Sequence, residues 1–172
     1  SVLTQQSGPQ VLFSDNFETG LSSAWKTSGV GYWKVALSPT YKKSGSKGVV
    51  LHGTKNKSWE TSRLTLSINS AGFTNLKLSY AIRNIGDEKH PNDGIYSSTN
   101  GTTWTKLATL PSVGPLWQSV TLSLPATTKQ IRFQQYDNEM LPKDGFAIDD
   151  VVVTGQPALV PFVSAPWNKL VI

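Results

Sequence analysis

There is no cysteine in this 172-residue chain, and that absence removes three kinds of chemistry together. A disulfide framework, a thiolate metal site and a thiol nucleophile all require the residue. Histidine is nearly as scarce, with only His52 and His90. His52 falls in the run GVVLHG and reads as a strand residue near a sheet edge, while His90 falls in the polar loop DEKHPND. A Ser-His-Asp triad needs one of them beside an activated serine, and no GxSxG-like elbow occurs. P-loop, strand-linked GxGxxG and HExxH patterns are also missing. Glu18, Glu60, Glu88 and Glu139 lack the paired spacing that would set two inward carboxylates on one strand, as a glycosidase requires. The reading is non-catalytic.

Two kinds of partner drop out as well. No apolar run is long enough to span a bilayer, so membrane insertion is not expected. No dense basic stripe with interleaved aromatics matches a nucleic-acid module. The chain starts at Ser1 without Met or a signal-like apolar segment, which reads as a mature fragment or an excised module.

What is present points to β structure. The composition is globular, with 38% hydrophobic and 10% aromatic residues, 14 Gly and 10 Pro. A single domain of this length buries roughly 70% of its unfolded surface. In LKLSYAIR, Leu76, Leu78, Tyr80 and Ile82 alternate with Lys77, Ser79, Ala81 and Arg83, the pattern of a half-buried strand. RLTLSI (63 to 68) and SVTLSL (119 to 124) repeat it, and KQIRFQQY sets Ile131 and Phe133 against Arg132, Gln134 and Tyr136. Shorter candidates are VLF (11 to 13), YWKVAL (32 to 37), GVVLH (48 to 52), GIYSS (94 to 98) and TWTKLAT (103 to 109). No segment keeps a helical period. About ten strands separated by turn signals predict an all-β sandwich. One hairpin is explicit: Asn100-Gly101 accepts the positive φ angles of a tight turn. Its order resembles the Asp-box hairpin of secreted glycan-handling proteins, with Asn100 where Asp is usual and Trp104 placed to pack over the turn.

The segment DGFAIDDVVVTG (144 to 155) is the anomaly, because Asp149 and Asp150 interrupt an apolar strand where aspartate is depleted and costly. Side chains at adjacent strand positions point to opposite faces, so the two do not serve one ion as ordinary strand residues. DNFETG (15 to 20), KKSGSKGVVL (42 to 51), IRFQQYDN and DGFAIDDVVVTG, in this order, resemble the MAM-like, cleaved-adhesin-type jelly-roll modules of secreted bacterial proteins. The similarity covers residues 11 to 155 and matches the cysteine-free branch, since animal MAM domains carry disulfides. It implies a jelly-roll β-sandwich of two antiparallel sheets, with the first and last strands side by side and a calcium ion held there. It also implies ligation by Glu18 and by Asp150 or Asp149, with backbone carbonyls around Ser44, Ser46 and Lys47 completing the shell. Calcium suits such a set, because it takes six to eight oxygens and needs neither His nor Cys. Asp150 is the expected direct ligand, with Asp149 accepting hydrogen bonds from nearby backbone or meeting a Lys or Arg. The alternative is that both are solvated at a frayed strand end. The ExDxxE strand of jelly-roll glucanases is missing, as are the Arg-x-Glu-x-Arg and Gln-x-His strands of jelly-roll lyases.

Asp15, Asp137, Glu139 and Asp144, with NDG (92 to 94), offer a second acidic group that could form a second calcium site, and are read here as ordinary turn residues. The expected ligand surface draws on Tyr32, Trp33 and Trp59, whose flat rings suit a pyranose, and on the polar row Arg132, Gln134 and Tyr136. Arg83 is expected on a strand beside that row. The net charge of +5 is partly local, at Lys42, Lys43, Lys47, Lys55 and Lys57, a solvated face that makes an acidic polysaccharide a more plausible charged partner than nucleic acid.

These readings describe a calcium-stabilised, carbohydrate-binding or adhesive module, secreted or on the cell surface. Its partner would be a polysaccharide or a cell-surface protein. The alternative is an accessory domain of an extracellular protease, with the catalytic domain in the same parent chain. Residues 1 to 10 read as an N-terminal extension, and 156 to 172 as a Pro-rich apolar tail or linker that docks on the sandwich or on another molecule.

Overall fold

A computed structural model describes residues 7–159, so the expectation for the apolar tail lies mostly outside the described residues. Eleven strands follow one another: β1 (Gln10–Asp15), β2 (Trp25–Gly31), β3 (Trp33–Ser38), β4 (Gly48–Gly53), β5 (Glu60–Ser67), β6 (Phe73–Asn84), β7 (Gly94–Ser98), β8 (Thr105–Ala108), β9 (Gln118–Ser123), β10 (Gln130–Asp137) and β11 (Phe146–Pro157). One sheet has the order β3-β4-β11-β6-β9, with β1 also paired to β11, and the other has the order β2-β5-β10-β7-β8. Every strand pair is antiparallel, in agreement with the all-β sandwich that the alternation predicts and the jelly roll that the resemblance implies.

Alternation decides which side chains fill the interior. Leu76, Leu78, Tyr80 and Ile82 of β6 are buried, as are Leu64 and Leu66 of β5 and Ile131 and Phe133 of β10. Each such Leu, Ile or Phe stabilises the fold by about 1.5–3 kcal/mol. Trp25 closes one end, with its ring centroid 5.6 Å from those of both Phe13 and Phe17 and 6.4 Å from that of Phe133. Its indole Nε1 donates to Asp15 Oδ2 at 2.9 Å, while Asp15 Oδ1 accepts from Phe17 N at 2.7 Å. Asp15 is therefore a structural acceptor.

β2 is a strand that the alternation does not reveal. Lys26, Thr27, Ser28 and Gly29 offer no apolar face, and pairing with β5 over the whole of Trp25–Gly31 holds the segment as an edge strand. Gly29 is required, since a Cβ there would fall 2.2 Å from the Trp33 ring. Trp33 thus packs across β2 rather than standing on an outer face.

The anomalous aspartates sit where β11 changes partner. Phe146, Ala147 and Ile148 pair with β4, whereas Val151, Val152 and Val153 pair with β1. Between these stretches the β6 register shifts and Asp150 takes φ 49°, the geometry of a bulge. The ladder is open at this point, and the 42–47 loop fills the opening.

Candidate functional site

Asp149 has no exposed surface, so it is not at a frayed end. Its Oδ2 accepts from Lys43 N at 2.8 Å and Ser44 N at 3.2 Å, and its Oδ1 accepts from Asp150 N at 2.8 Å. Burial pushes the Asp149 carboxyl up from its ordinary value, and these three N–H groups pull it back. Asp150, partly exposed, accepts from Ser44 Oγ at 2.8 Å. Glu18 reaches the far side of the same loop. It accepts from Ser46 Oγ at 2.6 Å and from Ser46 N and Lys47 N at 3.0 Å, which holds its carboxyl below the usual range, the serine hydroxyl contributing most. A Cβ on Gly45 would stand 2.5 Å from Glu18 Oε1, so only glycine lets the loop wrap the carboxylate this closely. Glu18, Asp149, Asp150, Ser44, Ser46 and Lys47 are therefore gathered at one loop. A cavity of about 310 Å³, lined by Asp15, Asn16, Thr19 and Asp150 among others, opens beside it.

The second assembly lies on the outer face of the five-stranded sheet. Register places Thr65, Arg132 and Tyr96 in one cross-strand row, Arg63 and Gln134 in the next, and Thr61 and Tyr136 in a third. Arg63 Nε donates to Gln134 Oε1 at 2.9 Å and Arg132 Nε to Thr65 Oγ1 at 3.1 Å, so both guanidinium groups are held by their neighbours. The Arg132 guanidinium lies 3.8 Å from the Trp104 ring centroid. Burial, and then the Arg63 charge, push Arg132 below its ordinary value. At the end of this face Trp59 stacks on Tyr136 with centroids 4.9 Å apart and planes at 14°, and His90 meets both rings edge-on. Trp59 remains 52% exposed. An aromatic plate thus adjoins a polar floor of two arginines and a glutamine.

Of the expected ligand surface, Trp59, Arg132, Gln134 and Tyr136 come together here. Tyr32 is exposed after Gly31, the register partner of Glu60, and Lys55 Nζ lies 4.7 Å over its ring. The placement of Arg83 has to be corrected. It lies on β6 of the opposite sheet, where its Nε donates to Gly114 O at 3.3 Å and its guanidinium faces Tyr41, because β10 takes only β5 and β7 as neighbours. Arg63 was missed, although its place in RLTLSI opposite the β10 polar row is the signal that could have found it. Tyr96 joins the same face through cross-strand register and Trp104 through its contact with the Arg132 guanidinium, and no local pattern carries either.

Of the acidic residues in the turns, Asp93, Asp137 and Asp144 are buried, and Asp87 joins them. Asp93 accepts from His90 N and Tyr136 N, both at 2.6 Å, and so ties the aromatic plate to the turn. Burial raises the carboxyls of Asp93 and Asp144 to about 6 and that of Glu60 to about 7.

No family model matches the chain. In sequence it is similar to endo-1,4-beta-xylanase A of Thermotoga neapolitana, 28% identical over 159 residues, which cover 88% of this chain and 15% of the xylanase. In structure it resembles the K3 cleaved adhesin domain of Lys-gingipain from Porphyromonas gingivalis, with TM-score 0.62, 20% identity, and coverage of 86% of this chain and 99% of that domain. It also resembles the CBM22-1 xylan-binding domain of Paenibacillus barcinonensis Xyn10C, with TM-score 0.59, 12% identity, and coverage of 91% and 100%. The fold class these likenesses define is a cleaved-adhesin-like jelly-roll β-sandwich.

Proposed function

We propose that the chain is a non-catalytic carbohydrate-binding or adhesive module of a secreted or cell-surface protein, and that it takes a polysaccharide on the outer face of the five-stranded sheet. The observation that carries this reading is the exposed Trp59 ring stacked on Tyr136 beside Arg63, Gln134 and Arg132. A flat ring covers the apolar face of a sugar, while guanidinium and amide groups bond its hydroxyls or carboxylates. The names of similar proteins, a xylanase, a xylan-binding domain and an adhesin domain, support the same class. Affinity electrophoresis against xylan, mannan and an acidic polysaccharide tests it. Retardation on at least one glycan is expected, and Trp59→Ala should weaken it about tenfold while leaving the melting temperature near that of the parent. Unretarded mobility on every glycan would remove the reading.

Calcium at the 42–47 loop belongs to this proposal, as does the finer MAM-like kinship. The side chains suit the ion in kind, being oxygen ligands: the Glu18 and Asp150 carboxylates and the Ser44 and Ser46 hydroxyls, beside a cavity lined in part by Asp15 and Asn16. The ion would supply positive charge between β1 and β11 where the ladder is open. Chelation should lower the melting temperature, and Glu18→Gln should reduce that shift. A second reading, an accessory domain of an extracellular protease, draws on the likeness to a Lys-gingipain domain. It requires a catalytic domain in the parent gene, and a glycan-binding result would set it aside.

A further inference from the structure

We propose that Asp87, Asp137 and Asp144 form a calcium site of their own, where the loop after β6 meets the loop between β10 and β11. One carboxylate oxygen from each of the three lies within 4.8 Å of the other two, and no other group of three metal-ligating side chains this close occurs among the described residues. Acidic side chains often cluster without an ion, so proximity alone decides nothing. The deciding feature is what surrounds them.

Asp87 is 1% exposed and neither of its oxygens has a hydrogen-bond donor. Asp137 has no exposed surface, and its Oδ2 is equally unpartnered, while Oδ1 accepts only from its neighbour Asn138 N at 2.5 Å. Gln135, at the preceding inward position of β10, is fully buried with neither amide atom partnered. No lysine or arginine compensates. The one ion pair among the described residues joins Lys143 to Glu139 at 3.7 Å, with the lysine 66% exposed. Buried carboxylates collect donors or a counter-charge, because desolvation without either costs several kcal/mol per ion.

The walls of the site are built rather than incidental. Asn84 clamps the backbone of Asp87 from both directions, with Nδ2 donating to Asp87 O at 3.0 Å and Oδ1 accepting from Asp87 N at 2.7 Å. Gly86 lies so close to the other loop that a Cβ would fall 1.8 Å from Lys143 O. Two segments far apart in sequence are thereby pinned with their carboxylates converging. The available ligands are hard oxygens, three carboxylates, with no sulfur and no imidazole among the three converging groups. That set selects calcium over zinc or copper. The alternative neutraliser is the proton, shared among the three carboxyls.

The test uses the whole chain stripped of metal by chelator and titrated with calcium in a calorimeter, in parent, Glu18→Gln, Asp144→Asn and Asp87→Asn forms. The Glu18→Gln chain should still bind calcium, and Asp144→Asn should lose that binding step or weaken it at least tenfold. Asp144 stands at the rim with 6% exposure, so its replacement tests the site even if Asp87→Asn fails to fold. The assignment is overturned if Glu18→Gln binds no calcium. It is also overturned if Asp144→Asn binds with the affinity of the parent, which would leave shared protons as the neutraliser. Failure of the Glu18 site alone gives a different pattern, in which the parent and Glu18→Gln titrate alike.

Discussion

Asp149 and Asp137 are both aspartates with no exposed surface, yet the two ends of the sandwich house them in opposite ways. Asp149 stands at a break in a ladder, and a glycine-containing loop turns its free N–H groups inward to meet it. Asp137 ends an unbroken strand whose inward row runs Ile131, Phe133, Gln135, Asp137, and the loops that cover it bring further carboxylates instead of donors. The Asp149 carboxylate is satisfied by the Lys43 and Ser44 N–H groups and by Asp150 N. The cluster at Asp137 has a single backbone donor, Asn138 N, for its carboxyls, and the Asp87 carboxyl is raised to about 11, mainly by burial and then by its neighbour Asp137. A buried acid needs donors, protons or a cation, and the 42–47 loop brings two N–H donors to Asp149.

The largest effect should come from removing the satisfied acid. Asp149→Ala strips the acceptor from Lys43 N, Ser44 N and Asp150 N. It should cost about 3 kcal/mol in urea unfolding, since hydrogen bonds to a charged group are worth about 1.5–3 kcal/mol each and water reaches the exposed loop to recover part of this. A loss below about 1 kcal/mol would mean that the loop does not depend on Asp149.

Next comes the other end. Gly86→Ala forces the Asp87 loop away from Lys143 O and should cost about 2 kcal/mol, as overpacking does. If the converging carboxylates repel when no cation is present, the cost should be smaller in chelator than in calcium. An equal cost under both conditions would show that the loops are pinned by packing alone.

The pH dependence should separate the two ends by sign. Asp144, Asp93 and Glu60 have folded-state values raised to about 6, 6 and 7, so the folded chain holds protons that the unfolded chain has released. In chelator their contribution is greatest below the unfolded carboxyl range and is lost as pH rises from about 4 to about 7. Glu18 is lowered, so its contribution is present above the unfolded value and is lost on acidification. Glu18→Gln should therefore flatten the acid side of the stability profile, and Glu60→Gln the side from pH 4 to 7, in denaturant titrations across that range. The reverse assignment of the two limbs would contradict the geometry.

Much of this fold could be read from residue alternation, because a strand with one face on a core must place apolar side chains at every second position. β5, β6 and β10 show it plainly, and so does the polar row of Arg132, Gln134 and Tyr136 on the other face. β2 escaped because an edge strand gets its order from pairing rather than from its own pattern. The paired aspartates of β11 marked an irregularity in the right place, but the partner change that causes it depends on β1 and β4 meeting β11 from distant parts of the chain. The acidic cluster was read as turn residues, since Asp, Asn and Gly are what turns use in any case. Asp87 lies in a loop that shares no local pattern with Asp137 or Asp144.

By itself the sequence determined the class of architecture, the identity of the inward faces, and the exclusion of disulfide and thiolate chemistry from a chain without cysteine. Only the tertiary structure decided which polar groups share a site, putting Arg63 with Arg132, Trp59 with Tyr136, and Asp87 with Asp137, and sending Arg83 to the opposite sheet. The physical reason is range. Burial alternates with a period of two residues and is written in each short segment, whereas the meeting of two loops follows from strand order and register, which belong to the sandwich as a whole.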